Sequence, residues 1–140
     1  MPANLRDPED EWFALTTRVR NVYASKARVG NVAISYEDLA SDKYKGKICT
    51  RSGKHPYTVA LVSSMIAHHS EAPAKEWLMK VKGTLARKPQ GNDRGQSKAI
   101  AAGQCDETLG NSYYLGKMLT DPKQCHLHTS EATDDQPCIH

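Results

Sequence analysis

A chain of 140 residues can bury one core, but a mean hydropathy of -0.64 and a single phenylalanine mean that core is built from Leu, Val, Ile, Ala and two tryptophans. No window approaches the roughly 20 apolar residues of a membrane span, and Met1 to Asp7 has no basic-then-apolar leader, so the sequence predicts a chain that does not span a membrane and carries no export signal. Net charge is +3; residues 43–98 hold 12 Lys/Arg against 3 Asp/Glu, but without interleaved aromatics this block reads as solvated helix surface and no nucleic-acid partner is predicted.

In chain order, a Pro- and Asp-rich approach leads into Trp12 to Arg20, whose later part alternates apolar and polar as a first strand does, with Asn21 to Ala24 as an extension. Ser35 to Ala40 offers a capping-box-like start to a short helical turn, and Ile48-Cys49 reads as a second strand. A polar loop, Thr50 to His55, precedes Pro56, which suits the first turn of a helix running to about His69. Val59, Leu61, Val62, Met65 and Ile66 give that helix a wide apolar stripe. A second helix opens at Pro73 and presents Trp77, Leu78, Val81 and Leu85 on one face. Asn92 or Asp93 caps a third, which Gly103 ends. Cys105 to Leu109 is a further strand, followed by a turn at Gly110 to Ser112 and a last helix to about Leu119. Strands alternating with helices predict an α/β fold with a largely parallel sheet over residues 1–122. Residues 123–140, rich in Thr, Ser, Asp, Cys and His without metal-site spacing, read as a disordered tail. The four cysteines show no C-x-x-C pair, which argues against a zinc knuckle or a thioredoxin-type motif.

The adjacent Tyr113 and Tyr114 are the clearest pointer to chemistry. A free phenol titrates near pH ~10, so tyrosinate is scarce at neutral pH, but a hard trivalent cation stabilises it and displaces its proton. A turn capped by Asn111 or Ser112 lets two neighbouring side chains approach one ion, at a helix N-terminus that favours anionic oxygen. Against this stands chance, since a chain of this composition holds roughly 0.3 such pairs.

Taken together, Trp12-Phe13-Ala14-Leu15-Thr16-Thr17-Arg18, Tyr36 to Ala40, Ile48 to Tyr57 with its Arg-Ser-Gly-Lys-His loop, Ala86 to Asp93, and Gly110-Asn111-Ser112-Tyr113-Tyr114 resemble the periplasmic ferric-iron-binding proteins of ABC importers. The resemblance implies one lobe of a two-lobed periplasmic-binding-protein fold, a periplasmic location, and ferric iron as the cargo, passed on to an inner-membrane ABC permease. It assigns Tyr57, Tyr113 and Tyr114 as tyrosinate ligands, a hard oxygen set suited to ferric iron. Arg18, Arg51 and Ser52 resemble positions that could hold a synergistic anion such as carbonate or offset the charge of the ligands, and Asn92 and Asn111 resemble orienting groups. Family members are more than twice this length, so the chain reads as a partial second lobe. Glu107 and Thr108 stand where the family usually has apolar strand residues, and Thr58 where it usually has asparagine.

Cys49 and Cys105, each beside a predicted strand leading into a ligand loop, are expected to lie close together, as a disulfide in an oxidising compartment or as two buried thiols. Competing readings are a lobe for another small anion or metal, with Ser52, Gly53 and the following helix start as its cradle, and a truncated product without function. An enzyme is not predicted: paired carboxylates, G-x-S-x-G and a P-loop are missing, and His68-His69 lacks an H-E-x-x-H context.

Overall fold

A computed structural model describes residues 2–114 and 127–129. Four strands form one sheet in the order β2-β3-β1-β4: β1 is Arg20–Ser25, β2 Ile48–Cys49, β3 Glu107–Asn111 and β4 Leu127–Thr129. The expected parallel pairing holds for β2 and β3, with Ile48 opposite Glu107, but β1 runs antiparallel to both its neighbours, so the sheet is mixed.

The first strand begins later than its alternation suggests. Residues 12–19 stay outside the sheet, apart from an isolated bridge from Phe13 to Arg6, because the five pairing positions of β3 are taken by Arg20 to Ala24. Without a sheet face to receive them, Trp12, Leu15 and Val19 remain exposed, Leu15 at 90%. In the segment expected to be disordered, Leu127–Thr129 adds to the free edge of β1 instead, where an unpaired row of backbone groups accepts a strand. The rest of 123–140, and the last helix beyond Tyr114, lie outside the described residues.

Helices cover both faces of the sheet. Successive strand residues point to opposite sides. Val22, Ala24, Ile48 and Leu109 therefore meet Leu61 and Met65 of α2 (Pro56–His69) and Ala74, Trp77 and Val81 of α3 (Glu71–Thr84), while Tyr23 and Cys49 meet Ala99 and Ile100 of α4 (Asp93–Ala101). A four-residue α1, Lys26–Val29, follows β1. On the larger side, the Trp77 indole donates to the Tyr36 carbonyl at 2.7 Å, and the Thr84 hydroxyl to the Leu39 carbonyl at 3.1 Å. These bonds tie α3 to the short 3-10 turn Asp38–Ala40. On the smaller side, Cys49 and Cys105 form a disulfide with a Cα–Cα distance of 5.8 Å, joining β2 to the approach of β3.

The helix starts follow their local chemistry. Pro56 occupies the first turn of α2, where its missing N–H costs nothing, and the His55 ring accepts the Tyr57 amide at 3.2 Å. Asn92 caps α4, accepting the Gly95 amide at 2.9 Å. α3 starts at Glu71, two residues before Pro73, because Ser70, which follows the last residue of α2, has a positive φ of 71° and donates its amide to the Ile66 carbonyl.

Candidate functional site

Three chain segments bring the candidate side chains to one end of the sheet. Tyr57 comes from the first turn of α2, fixed by the His55 cap. Partial burial and the nearby Arg51 guanidinium lower the His55 pKa, which favours the neutral ring needed to accept that amide. Arg18 and Arg20 come from the entry to β1, and Asn111, Tyr113 and Tyr114 from the end of β3, where residues 112–114 turn into a helix. That turn is held from behind. The buried Tyr23 ring lies across Gly110, and its hydroxyl donates to the Asn111 carbonyl. A Cβ at Gly110 would sit 2.5 Å from Tyr23 Cε2, so the close approach requires glycine.

Arg18 connects the two tyrosine segments: its guanidinium donates to the Tyr57 hydroxyl at 3.4 Å and lies 5.8 Å from the centre of the Tyr113 ring. The Tyr113 and Tyr114 rings lie 4.2 Å apart, tilted by 40°, with Arg94 5.7 Å from the Tyr114 ring. Arg20 and Arg51 stand 5.8 and 5.3 Å from the Tyr57 ring. Both guanidiniums also grip one carboxylate, Asp93, at 3.1 Å each, and Arg20 donates at 3.1 Å to Asn111 Oδ1. A cavity of about 250 Å³ opens here, lined by Arg18, Arg20, Tyr36, Tyr57, Ser64 and Asn111 among others.

Of the residues selected from sequence, Tyr57, Tyr113, Arg18, Arg51 and Asn111 thus fall within one connected cluster, with Tyr114 stacked beside Tyr113. Ser52 and Asn92 make local bonds: the Ser52 hydroxyl accepts the Lys54 amide at 3.2 Å, and Asn92 caps α4. Sequence reasoning missed Arg20 and the role of Asp93. The Arg18-Val19-Arg20 alternation was a usable signal for Arg20, because residues two apart in extended chain share a face. Nothing local separates Asp93 from an ordinary acidic residue in the first turn of a helix.

Comparison with known proteins bears on the fold and the family likeness. No protein-family model matches the chain. Iron uptake protein A2 of Synechocystis sp. is 42% identical over 125 residues, 87% of this chain and 36% of that protein. Ferric iron-binding protein A of Mannheimia haemolytica, solved in an open conformation, superposes with a TM-score of 0.84 at 51% identity, covering 91% of this chain and 42% of that one. The chain resembles part of a ferric-iron-binding protein. A Trichodesmium protein solved with iron and citrate ligands gives the same TM-score of 0.84 at 38% identity, over 91% of this chain and 43% of that one. The fold is accordingly an α/β lobe of the ferric-iron-binding type, and the chain spans 36% of the length of the curated relative. Among the described residues, no helix is long and apolar enough to cross a membrane, and no group of three or more His, Cys, Asp or Glu residues is placed to hold a metal.

Proposed function

We propose that this chain binds ferric iron through the phenolates of Tyr57, Tyr113 and Tyr114, as part of the substrate-binding component of a periplasmic iron ABC importer that delivers to an inner-membrane permease. The observation that carries this reading is the Arg18 guanidinium between the Tyr57 hydroxyl and the Tyr113 ring: a cation already sits between the two tyrosine segments. Three anionic oxygens match a hard trivalent ion in charge and softness. Three ligands leave coordination positions open, which solvent or an added anion must fill, so binding is weak and reversible compared with a site closed by further ligands. The work is coordination, not catalysis. Because protons leave the phenols on binding, uptake weakens as pH falls.

Titration with ferric nitrilotriacetate, followed by visible absorbance, tests the proposal. The expected result is a phenolate-to-metal charge-transfer band that is lost in the double variant Tyr113→Phe/Tyr114→Phe, which keeps the ring packing and deletes two oxygens. A folded double variant with the full band would sink the assignment.

A second reading has one observation in its favour. Three guanidiniums surround Tyr57, Arg18 at its hydroxyl and Arg20 and Arg51 at its ring, and only the last two share a carboxylate, Asp93; this excess of positive charge suits a small anion such as carbonate or citrate. The anion serves either as partner to the iron or as the solute itself. An anion dependence of the band distinguishes the first case; anion binding by calorimetry without iron, and no band with it, indicates the second.

A further inference from the structure

We infer that Asp93 is a positioning residue of the tyrosine site: it holds the Arg20 and Arg51 guanidiniums against the face of the Tyr57 ring and away from the oxygens that a cation would need. The inference rests on the ferric reading of Tyr57, Tyr113 and Tyr114.

Asp93 is 0% exposed, at the first position of α4, and each of its oxygens accepts from a different arginine, Oδ1 from Arg51 and Oδ2 from Arg20, both at 3.1 Å. The Nε–H groups of both arginines are buried without a partner, so the carboxylate is the main anchor of Arg51 and shares Arg20 with Asn111 Oδ1 and the Leu109 carbonyl. Thus anchored, each guanidinium meets Tyr57 through its ring, at 5.8 and 5.3 Å from the centroid, a cation–π contact that orients the ring. The contact described at the hydroxyl is the 3.4 Å approach of the exposed Arg18.

A guanidinium is itself a good partner for a phenolate oxygen. Were the carboxylate neutralised, two buried cations would lack their counter-charge, and a phenolate on the Tyr57 ring they already face would offer a replacement. Arginine would then compete with the metal. The network also reaches the second tyrosine segment, because the Arg20 nitrogen that donates to Asp93 donates at 3.1 Å to Asn111 Oδ1, two residues before Tyr113. One carboxylate therefore fixes the orientation of Tyr57 and the position of the strand end that carries Tyr113 and Tyr114.

The test compares wild type with Asp93→Asn, which keeps the shape and removes the charge. Two readouts are used: ferric nitrilotriacetate titration, and the ring resonances of tyrosines labelled with carbon-13, with Tyr57 assigned by its loss in Tyr57→Phe. In folded Asp93→Asn the Tyr57 signal is expected to move while that of Tyr44, in the main core, stays. Iron affinity should fall by about 10- to 100-fold, as for other groups that orient metal ligands, with a displaced charge-transfer band. Wild-type affinity in the folded variant, whether or not the resonance moves, overturns the inference. Should Asp93→Asn fail to fold, Arg51→Lys carries the same test: it keeps the charge and withdraws the planar group from the ring, and unchanged affinity and resonance there are equally fatal. If wild type itself takes up no iron, the ferric reading fails, while an unmoved Tyr57 resonance separately shows that Asp93 does not hold that ring.

Discussion

Two carboxyl groups are buried among the described residues of this chain, and they are buried in opposite ways. Asp93 is 0% exposed and lies between two guanidiniums at 3.1 Å, with both oxygens used. Glu107 is 1% exposed, at the start of β3 in the middle of the sheet, and neither of its oxygens has a hydrogen-bond partner. Desolvation, helped by the neighbouring Asp106 and only partly offset by Lys47, Lys43 and Arg28, pushes the Glu107 pKa up from 4.5 to about 7. Burial alone therefore does not decide what a carboxyl group does. A paired one organises charge, and an unpaired one tends to shed its own.

The comparison can be broken most forcefully at Asp93. Asp93→Ala leaves two guanidiniums buried without their counter-charge and should cost about 3–5 kcal/mol, enough to unfold much of the protein in a denaturant titration. A loss below about 1 kcal/mol would mean that water reaches Arg20 and Arg51 freely. Next comes the disulfide that fastens β2 alongside Glu107. Cys49 and Cys105 are 56 residues apart, and chain entropy for a loop of this length predicts a loss of about 4 kcal/mol in Cys49→Ala/Cys105→Ala, read as a lower melting temperature.

Glu107 itself gives a pH signature. The folded state holds its proton up to about pH 7 and the unfolded state only to about 4.5, so its contribution lowers stability as pH rises across that window and levels off above it. The stability advantage of Glu107→Gln over wild type should grow by at most about 1.4 kcal/mol per pH unit in that window. A flat difference between pH 4.5 and 7 would show that the carboxyl finds a partner or water. The smallest effect expected is at Gly110, where a Cβ would meet Tyr23 at 2.5 Å; Gly110→Ala should cost about 1–3 kcal/mol as the ring is displaced. It should also weaken the iron band, because the same ring holds the strand end that carries Tyr113.

The sequence by itself determined most of the local structure. Pro56 and the apolar stripe after it set α2 over Pro56–His69, the Asn92 cap set the start of α4, and Ile48-Cys49 is the second strand, because these features act through neighbouring residues and need no distant partner. The proximity of Cys49 and Cys105 was legible too, since each lies in or beside a strand and the two strands pair; that they are bonded was left open by the sequence. Only the tertiary structure decided where the first strand begins, because the later part of Trp12 to Arg20 has the right alternation but the segment before Arg20 has no sheet face to meet, and which way β1 runs, because strand direction is set by pairing with β3. It alone set Asp93 apart from Glu107, since whether a buried carboxylate keeps its charge depends on guanidiniums 42 and 73 residues away along the chain, or on their absence.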